Sequence, residues 1–461
     1  MSRVKDSLVR GDLGAQVRAL SPRHPAWLEI ARRYGTPLYL VEEEILRTRA
    51  RKFVAAFSTA LEGAKVHYAL KANPFPAIAR CFVEEGLGLD ASSGLELELA
   101  LRLGCSRILL SGPGKTDPEL ELALAHPGRV TVLADSVREL ERIHSLSKAK
   151  GRSSRVGLRI STTSQGQWNK FGVALETLPG IMALARDRWP DVRIRGLQFH
   201  QSWVRDAQAH THTLKQVGAV LRDLPAQDRE SLEFLDMGGG YYPANEEGIY
   251  PWLADAQDLV LPSAFPDFDQ WWGQGQPFYF FRPCLPIEEM ASRLGQVFKE
   301  EISSQVPLEP WLEPGRWLVN GAVQILLQVR DCKTEQAVIA DAGTHLLGWE
   351  RLEMEYAPLV NLSRPGEDQQ RCTVYGSLCT PHDVWGYSYY GTGIQEGDIL
   401  ALLYQGAYVQ TLQQRFIKPV AAAAMLCSDG SYELLSSRES FEDRFAGLGA
   451  PAALDPPICQ A

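Results

Sequence analysis

The sequence predicts an α/β fold: a (β/α)8 TIM barrel followed by a C-terminal antiparallel β domain. Two observations carry this. From about residue 66, short β-rich runs alternate with amphipathic helical stretches, as in parallel strands joined by crossover helices. There are eight such runs, the number a closed barrel needs. After residue 315 the texture changes to strands and Gly/Pro turns without regular helices.

The eight runs are Val66–Leu70, Gly88–Ala91, Arg107–Leu110, Val130–Leu133, Val156–Ile160, Ile194–Phe199, Phe234–Met237 and Pro310–Glu313. Between them, Leu95–Leu103 and Ser136–Lys148 read as helices, the second opened by a serine at its N-cap. Thr36–Val41 reads as a strand ahead of the barrel that joins the β domain. Further strands are expected at Ala322–Val329, Glu335–Ala340, Asp398–Tyr404 and Gln413–Pro419. The chain thus divides into an N-terminal segment (1–45), the barrel (46–315) and the β domain (316–461).

Composition agrees with this plan. The 461 residues suit two domains if one is a large barrel, and 45% hydrophobic with 22% charged residues is globular. A net charge of −9 offers no overall basic field, so nucleic-acid binding is not expected. Apolar runs such as Val420–Cys427 are far shorter than the ~20 residues of a membrane span. Met1–Leu8 lacks an apolar signal core, so a cytoplasmic location is expected. Cysteines 81, 105, 284, 332, 372, 379, 427 and 459 form no Cys-x-x-Cys pair and suit reduced thiols.

One region breaks the rhythm. Residues 241–282 hold twelve aromatics, among them Tyr241, Tyr242, Trp252, Trp271, Trp272 and Phe278–Phe281, interspersed with prolines and glycines. This is either a lid or a packed insertion, and burial among the aromatics themselves is the plainer reading.

The chemistry gathers at predicted strand ends. Lys71 ends the first barrel strand, where burial is expected to lower its pKa and favour a Schiff base. A lone lysine there is ordinarily solvated; its partners change the reading. Gly238, Gly239 and Gly240 end the seventh strand and can cradle a phosphate with backbone N–H groups. Glu313 and Arg316 end the eighth and suit a protonated ring nitrogen and a phosphate. His200 ends the sixth and can stack on a flat cofactor. His210 and His212 do not face each other on a helix, so no metal is assigned.

Taken together, the motifs resemble the fold-type III pyridoxal-phosphate (PLP) decarboxylases that act on ornithine, arginine and meso-diaminopimelate. The resemblance runs from about Thr36 to Leu434. It is carried in order by Tyr68–Asn73, Asp90–Glu96, Ser111–Lys115, Lys170–Val173, Gly238–Gly240, Glu313–Arg316, Gly376–Asp383 and Gly406–Tyr408. It implies an alanine racemase-like barrel in which Lys71 holds PLP, His200 stacks on the ring and Glu313 keeps the pyridine nitrogen protonated. Gly238–Gly240, Arg316 and Tyr408 are implied phosphate ligands, with Asp90 and Arg159 further cofactor candidates. Cys379 or Lys71 is the implied acid, and Cys379 and Asp383 are expected to reach the site from the second protomer of a homodimer with shared active sites. Asp383, His382, His345 and Cys379 are the substrate-binding candidates.

The chain departs from the family pattern at three places. Trp203 stands where a phosphate-binding serine is common, and Thr380 replaces the acid after the cysteine. The Arg-Pro-x-x-Tyr that helps diaminopimelate enzymes hold carboxylates is replaced by the stretch 348–353. The form Cys379-Thr-Pro-x-Asp383 resembles a subgroup of siderophore and antibiotic pathways whose members decarboxylate an amino acid conjugated to citrate or to a carrier protein. The alternatives are a racemase of the same fold, which Glu313 and Cys379 oppose, and a PLP-free regulatory homologue that binds a protein partner.

Overall fold

The computed structural model describes residues 13–162, 170–244, 246, 248–249, 280–281, 283–348 and 357–445. Helix α1 (His24–Tyr34) precedes strand β1 (Leu38–Glu42), and helix α2 (Glu43–Ala60) leads into the barrel. Eight parallel strands then close on themselves: β2 (Lys65–Ala69), β3 (Gly88–Ala91), β4 (Ile108–Leu110), β5 (Val130–Ala134), β6 (Ser154–Ser161), β7 (Val192–Gln198), β8 (Phe234–Asp236) and β9 (Glu309–Leu312). Closure is made by β9 pairing with β2, Leu312 opposite Val66. Each of the eight expected runs overlaps one of these strands.

Local chemistry explains the crossovers. Helix α3 (Pro76–Glu84) opens on a proline at its first position, where a missing N–H costs nothing. Helix α4 (Gly94–Arg102) is capped by Ser93, which accepts from Glu96 N, and helix α5 (Val137–Ala149) by Ser136, which accepts from Glu139 N at 3.1 Å. Helix α2 presents Leu46, Ala50, Phe53 and Phe57 as one buried stripe and packs on helix α6 (Ile287–Phe298). Gly295 permits that approach, because a Cβ there would lie 2.6 Å from Ala60 O.

The barrel interior is filled on its lower side. Phe234 and Trp311 stack with centroids 3.7 Å apart, joined by Leu109 and Leu133. A Cβ on Gly196 would lie 2.3 Å from the Phe234 ring, so the glycine makes room for that plug. Polar groups are therefore left to the open, C-terminal end of the strands.

The second sheet contains β1, β10 (Val323–Thr334), β11 (Ala337–Ala340), β12 (Leu359–Asn361), β13 (Gln369–Tyr375), β14 (Val384–Tyr390), β15 (Ile399–Leu402), β16 (Ala422–Leu426) and β17 (Tyr432–Ser436). As expected, β1 joins it, Leu38 pairing with Leu326 on one side and Ala422 on the other. The sheet is mostly antiparallel, with parallel pairs β1–β16, β11–β13 and β12–β14. Strands brought together by long connections are free of the antiparallel constraint of a hairpin. One expectation is corrected: the expected strand at Gln413–Pro419 is irregular, with Ile417 at φ 59°, and the last two strands lie further on.

Candidate active site

Lys71 lies in a short 3-10 turn just past β2, its Nζ 3.9 Å from Asp90 Oδ2 at the end of β3. Burial works to lower its pKa, as expected. The carboxylates of Asp90 and Glu313 and the Tyr408 hydroxyl act in the opposite sense, and the net displacement is upward. The expectation of a depressed Lys71 is thus corrected: three groups from other elements hold the ammonium form.

Asp90 is fully buried and accepts a hydrogen bond from Ser111 Oγ. Glu313, equally enclosed at the end of β9, accepts from Gln198 Nε2 at 3.3 Å through Oε2, while its Oε1 is buried with no donor besides the Asp236 carboxyl. Asp236 Oδ1 accepts from Gly238 N at 2.8 Å. Burial and the nearby Glu313 push the Asp236 carboxyl well above the usual range. Burial, followed by the charges of Lys71 and Arg159, keeps His200 neutral. Gly239 N donates to His200 Nδ1 at 3.2 Å, which assigns the ring proton to Nε2.

The glycine turn is less open than expected. Gly238 and Gly239 have already committed their N–H groups, to Asp236 and His200, so of the three only Gly240 N has no recorded partner among the described residues. Gly238 and Gly240 adopt φ 67° and 88°, and a Cβ on Gly240 would lie 2.1 Å from Gln201 O. Arg316 is buried, its guanidinium 4.9 Å from both the Tyr242 and Tyr408 rings. Tyr408 arrives from the β domain, where its N–H donates to Ala72 O at 2.8 Å and Asn73 Nδ2 donates to Gly406 O at 3.1 Å. These bonds clamp the β domain to the Lys71 turn. Arg159 lies 3.9 Å from Asp135 and over the Phe171 ring at 4.3 Å, on the same rim.

The substrate candidates fall differently. Asp383 is buried, and its carboxylate accepts from Thr344 N, Thr344 Oγ1 and Leu378 N at 2.6, 2.9 and 2.7 Å. That carboxylate is spent on shaping the turn and is not presented to a ligand. His345 is likewise internal, its Nε2 at 3.2 Å from Pro419 O. Cys379 and His382, on the turn Asp383 shapes, are exposed. Trp203 is half exposed at φ 52°, so its indole is directed largely to solvent. Trp252, Trp271, Trp272, Phe278, Tyr279 and the stretch 349–353 lie outside the described residues, as do the side chains of Phe280 and Phe281. Tyr241 and Tyr242, at the start of the aromatic region, are buried, Tyr241 against Phe53, Phe57 and His210.

Sequence reasoning missed Asp236, Gln198 and Ser111. The first two end strands immediately before the Gly238–Gly240 and His200 motifs, a position that could have marked them.

Comparison with known proteins follows this geometry. The family described as pyridoxal-dependent decarboxylase, pyridoxal binding domain, matches residues 46–259. That span carries the pyridoxal-binding domain, and over nearly its whole length the chain is similar to PLP-dependent decarboxylases. The diaminopimelate decarboxylase of Methanothermobacter thermautotrophicus is 28% identical over 449 residues, covering 93% of this chain and 95% of that one. The L-glutamyl-[BtrI acyl-carrier protein] decarboxylase of Niallia circulans is 25% identical, with 90% and 94% covered. Diaminopimelate decarboxylase from M. jannaschii, solved with L-lysine, superposes with TM-score 0.75 at 23% identity, covering 92% and 94%. The protein is therefore a PLP-dependent carboxy-lyase. The donor set fits PLP: Glu313 Oε1 and Asp236 Oδ2 are buried carboxyl oxygens that interact with each other and have no other donor, the one a ring N–H supplies, and Lys71 stands across the same mouth.

Proposed function

We propose that this decarboxylase acts on a diamino acid or an amino acid conjugated to citrate or a carrier protein, in a biosynthetic pathway of siderophore or antibiotic type. The observation that carries the reading is the Gly376–Asp383 turn: Asp383 is consumed internally, Thr380 is neutral, and Cys379 and His382 are what the turn exposes. A free diamino acid would find no free carboxylate for its distal amine on this turn, which favours the conjugated form of the substrate. The carrier-protein glutamyl decarboxylase among the relatives is compatible with a conjugated substrate.

PLP supplies an electron sink for the carbon–carboxylate bond. The protein's own part is positional and protonic. Lys71 Nζ would have to shed its proton to bind the cofactor, and Asp90 Oδ2 lies 3.9 Å away to receive it. With PLP bound, Glu313 would pair with the ring nitrogen and neutral His200 would lie against the ring, while Arg316, Gly240 N and Tyr408 would hold the phosphate. Cys379, exposed on its own chain, protonates the substrate carbon in the site of a second copy, which makes a homodimer the working unit.

The test is CO₂ release from free ornithine, lysine, arginine and meso-diaminopimelate against a citrate-linked diamino acid and a carrier-bound glutamate. Preference for a conjugate is expected. Highest kcat/KM on free meso-diaminopimelate would overturn the proposal.

A further inference from the structure

A cleft of about 940 Å³ opens on the β domain, between α1 and the β10–β11 pair, away from the Lys71 cluster. Such a volume is that of a small-molecule site. Arg32, Arg330, Lys418 and Arg438 line it, against one carboxylate, Asp341. In a chain of net charge −9 this is a concentration of positive charge.

The cations outnumber the acidic groups that face them. Arg330 donates to the neutral Gln328 Oε1 at 2.8 Å. Arg32 meets Glu29 only at 4.0 Å, both largely exposed. Among the described residues no ion pair is recorded for Lys418 or Arg438. Glu439, beside Arg438, is engaged by Arg415 at 2.8 Å and Arg444 at 2.6 Å. Asp341, the one carboxylate on the wall, accepts from Gln328 N at 3.0 Å and attracts Arg438. Ser377 lies on the same wall.

We propose that this cleft binds a multiply charged oxyanion, carboxylate or phosphate, on the part of the substrate that does not react. The inference rests on the conjugated-substrate reading. Ser377 precedes Cys379 by two residues, at most about 7 Å of chain, so a molecule anchored in the cleft is led along this turn toward the catalytic thiol. The cleft thereby selects for a conjugate without touching the reacting carbon.

The experiment is calorimetric titration of the PLP-loaded enzyme with citrate and with inorganic pyrophosphate, at two salt concentrations, for wild type and Arg330→Gln/Arg438→Gln. Saturable, salt-sensitive binding by wild type, weakened at least about tenfold in the double variant, is expected. Citrate alone binding identifies a polycarboxylate source, and pyrophosphate alone a phosphate-bearing arm. Binding of neither probe, or equal binding by the variant, overturns the inference. Thermal melting of the double variant beside wild type, together with its unchanged PLP loading, guards against a folding artefact. The CO₂ screen separates the two failures. Preference for free meso-diaminopimelate removes the conjugate reading whatever the cleft binds, whereas preference for a conjugate with no probe binding removes the cleft alone.

Discussion

Glu313→Gln isolates one atom. Glu313 Oε2 already accepts from Gln198 Nε2 at 3.3 Å and lies 3.8 Å from His200 Nδ1, while Oε1 is buried with no donor besides the Asp236 carboxyl. A charge-assisted hydrogen bond from the PLP ring nitrogen to Oε1 is worth about 1.5–3 kcal/mol, so its loss weakens cofactor binding by roughly 10- to 150-fold. The contact geometry can be kept, because Gln198, whose Oε1 has no hydrogen-bond partner, can turn its amide to accept from the new NH₂; what the variant loses is the charge. Turnover should fall further than affinity, because an unprotonated ring is a poor electron sink. Titration of the apoenzyme with PLP, followed by its absorption, gives the affinity, and CO₂ release at saturating PLP gives the rate. A variant with wild-type affinity and rate would refute the pairing.

Other consequences follow from the same geometry. Asp90→Asn removes a carboxylate that holds Lys71 protonated, so the pH profile of PLP incorporation should move to lower pH; an unmoved or alkaline-shifted profile would count against Asp90 as the controlling charge. Gly239→Ala places a Cβ 2.3 Å from Glu313 O, and the forced shift should cost about 1–3 kcal/mol and lower PLP retention, read by thermal melting with and without cofactor. Lys71→Ala and Cys379→Ala should each be inactive, yet mixed and reassociated they should regain about a quarter of wild-type activity if each site draws on two copies, and none if it does not.

What was legible depended on distance along the chain. The barrel strands are buried on both faces and read as compact apolar runs, so all eight could be placed, and residues just beyond them fell at the correct end of the barrel. Lys71, Glu313, His200 and Arg316 were visible for that reason. The charge state of Lys71 was not, because it is set by Asp90 on β3, Glu313 on β9 and Tyr408 from the other domain. Asp383 looked like a presented acid, but Thr344 and Leu378 turn it inward. The parallel pairing of β1 with β16 joins segments nearly 400 residues apart, for which no local pattern exists.

The central claim is that Lys71 carries the cofactor in this barrel mouth. It is tested most directly by the visible spectrum of protein supplied with PLP, before and after borohydride, for wild type and Lys71→Ala. A long-wavelength band that borohydride abolishes in wild type, leaving PLP fixed to the Lys71 peptide, with no such fixation in the variant, is predicted. Equal fixation in the variant, or no uptake by wild type, would contradict it.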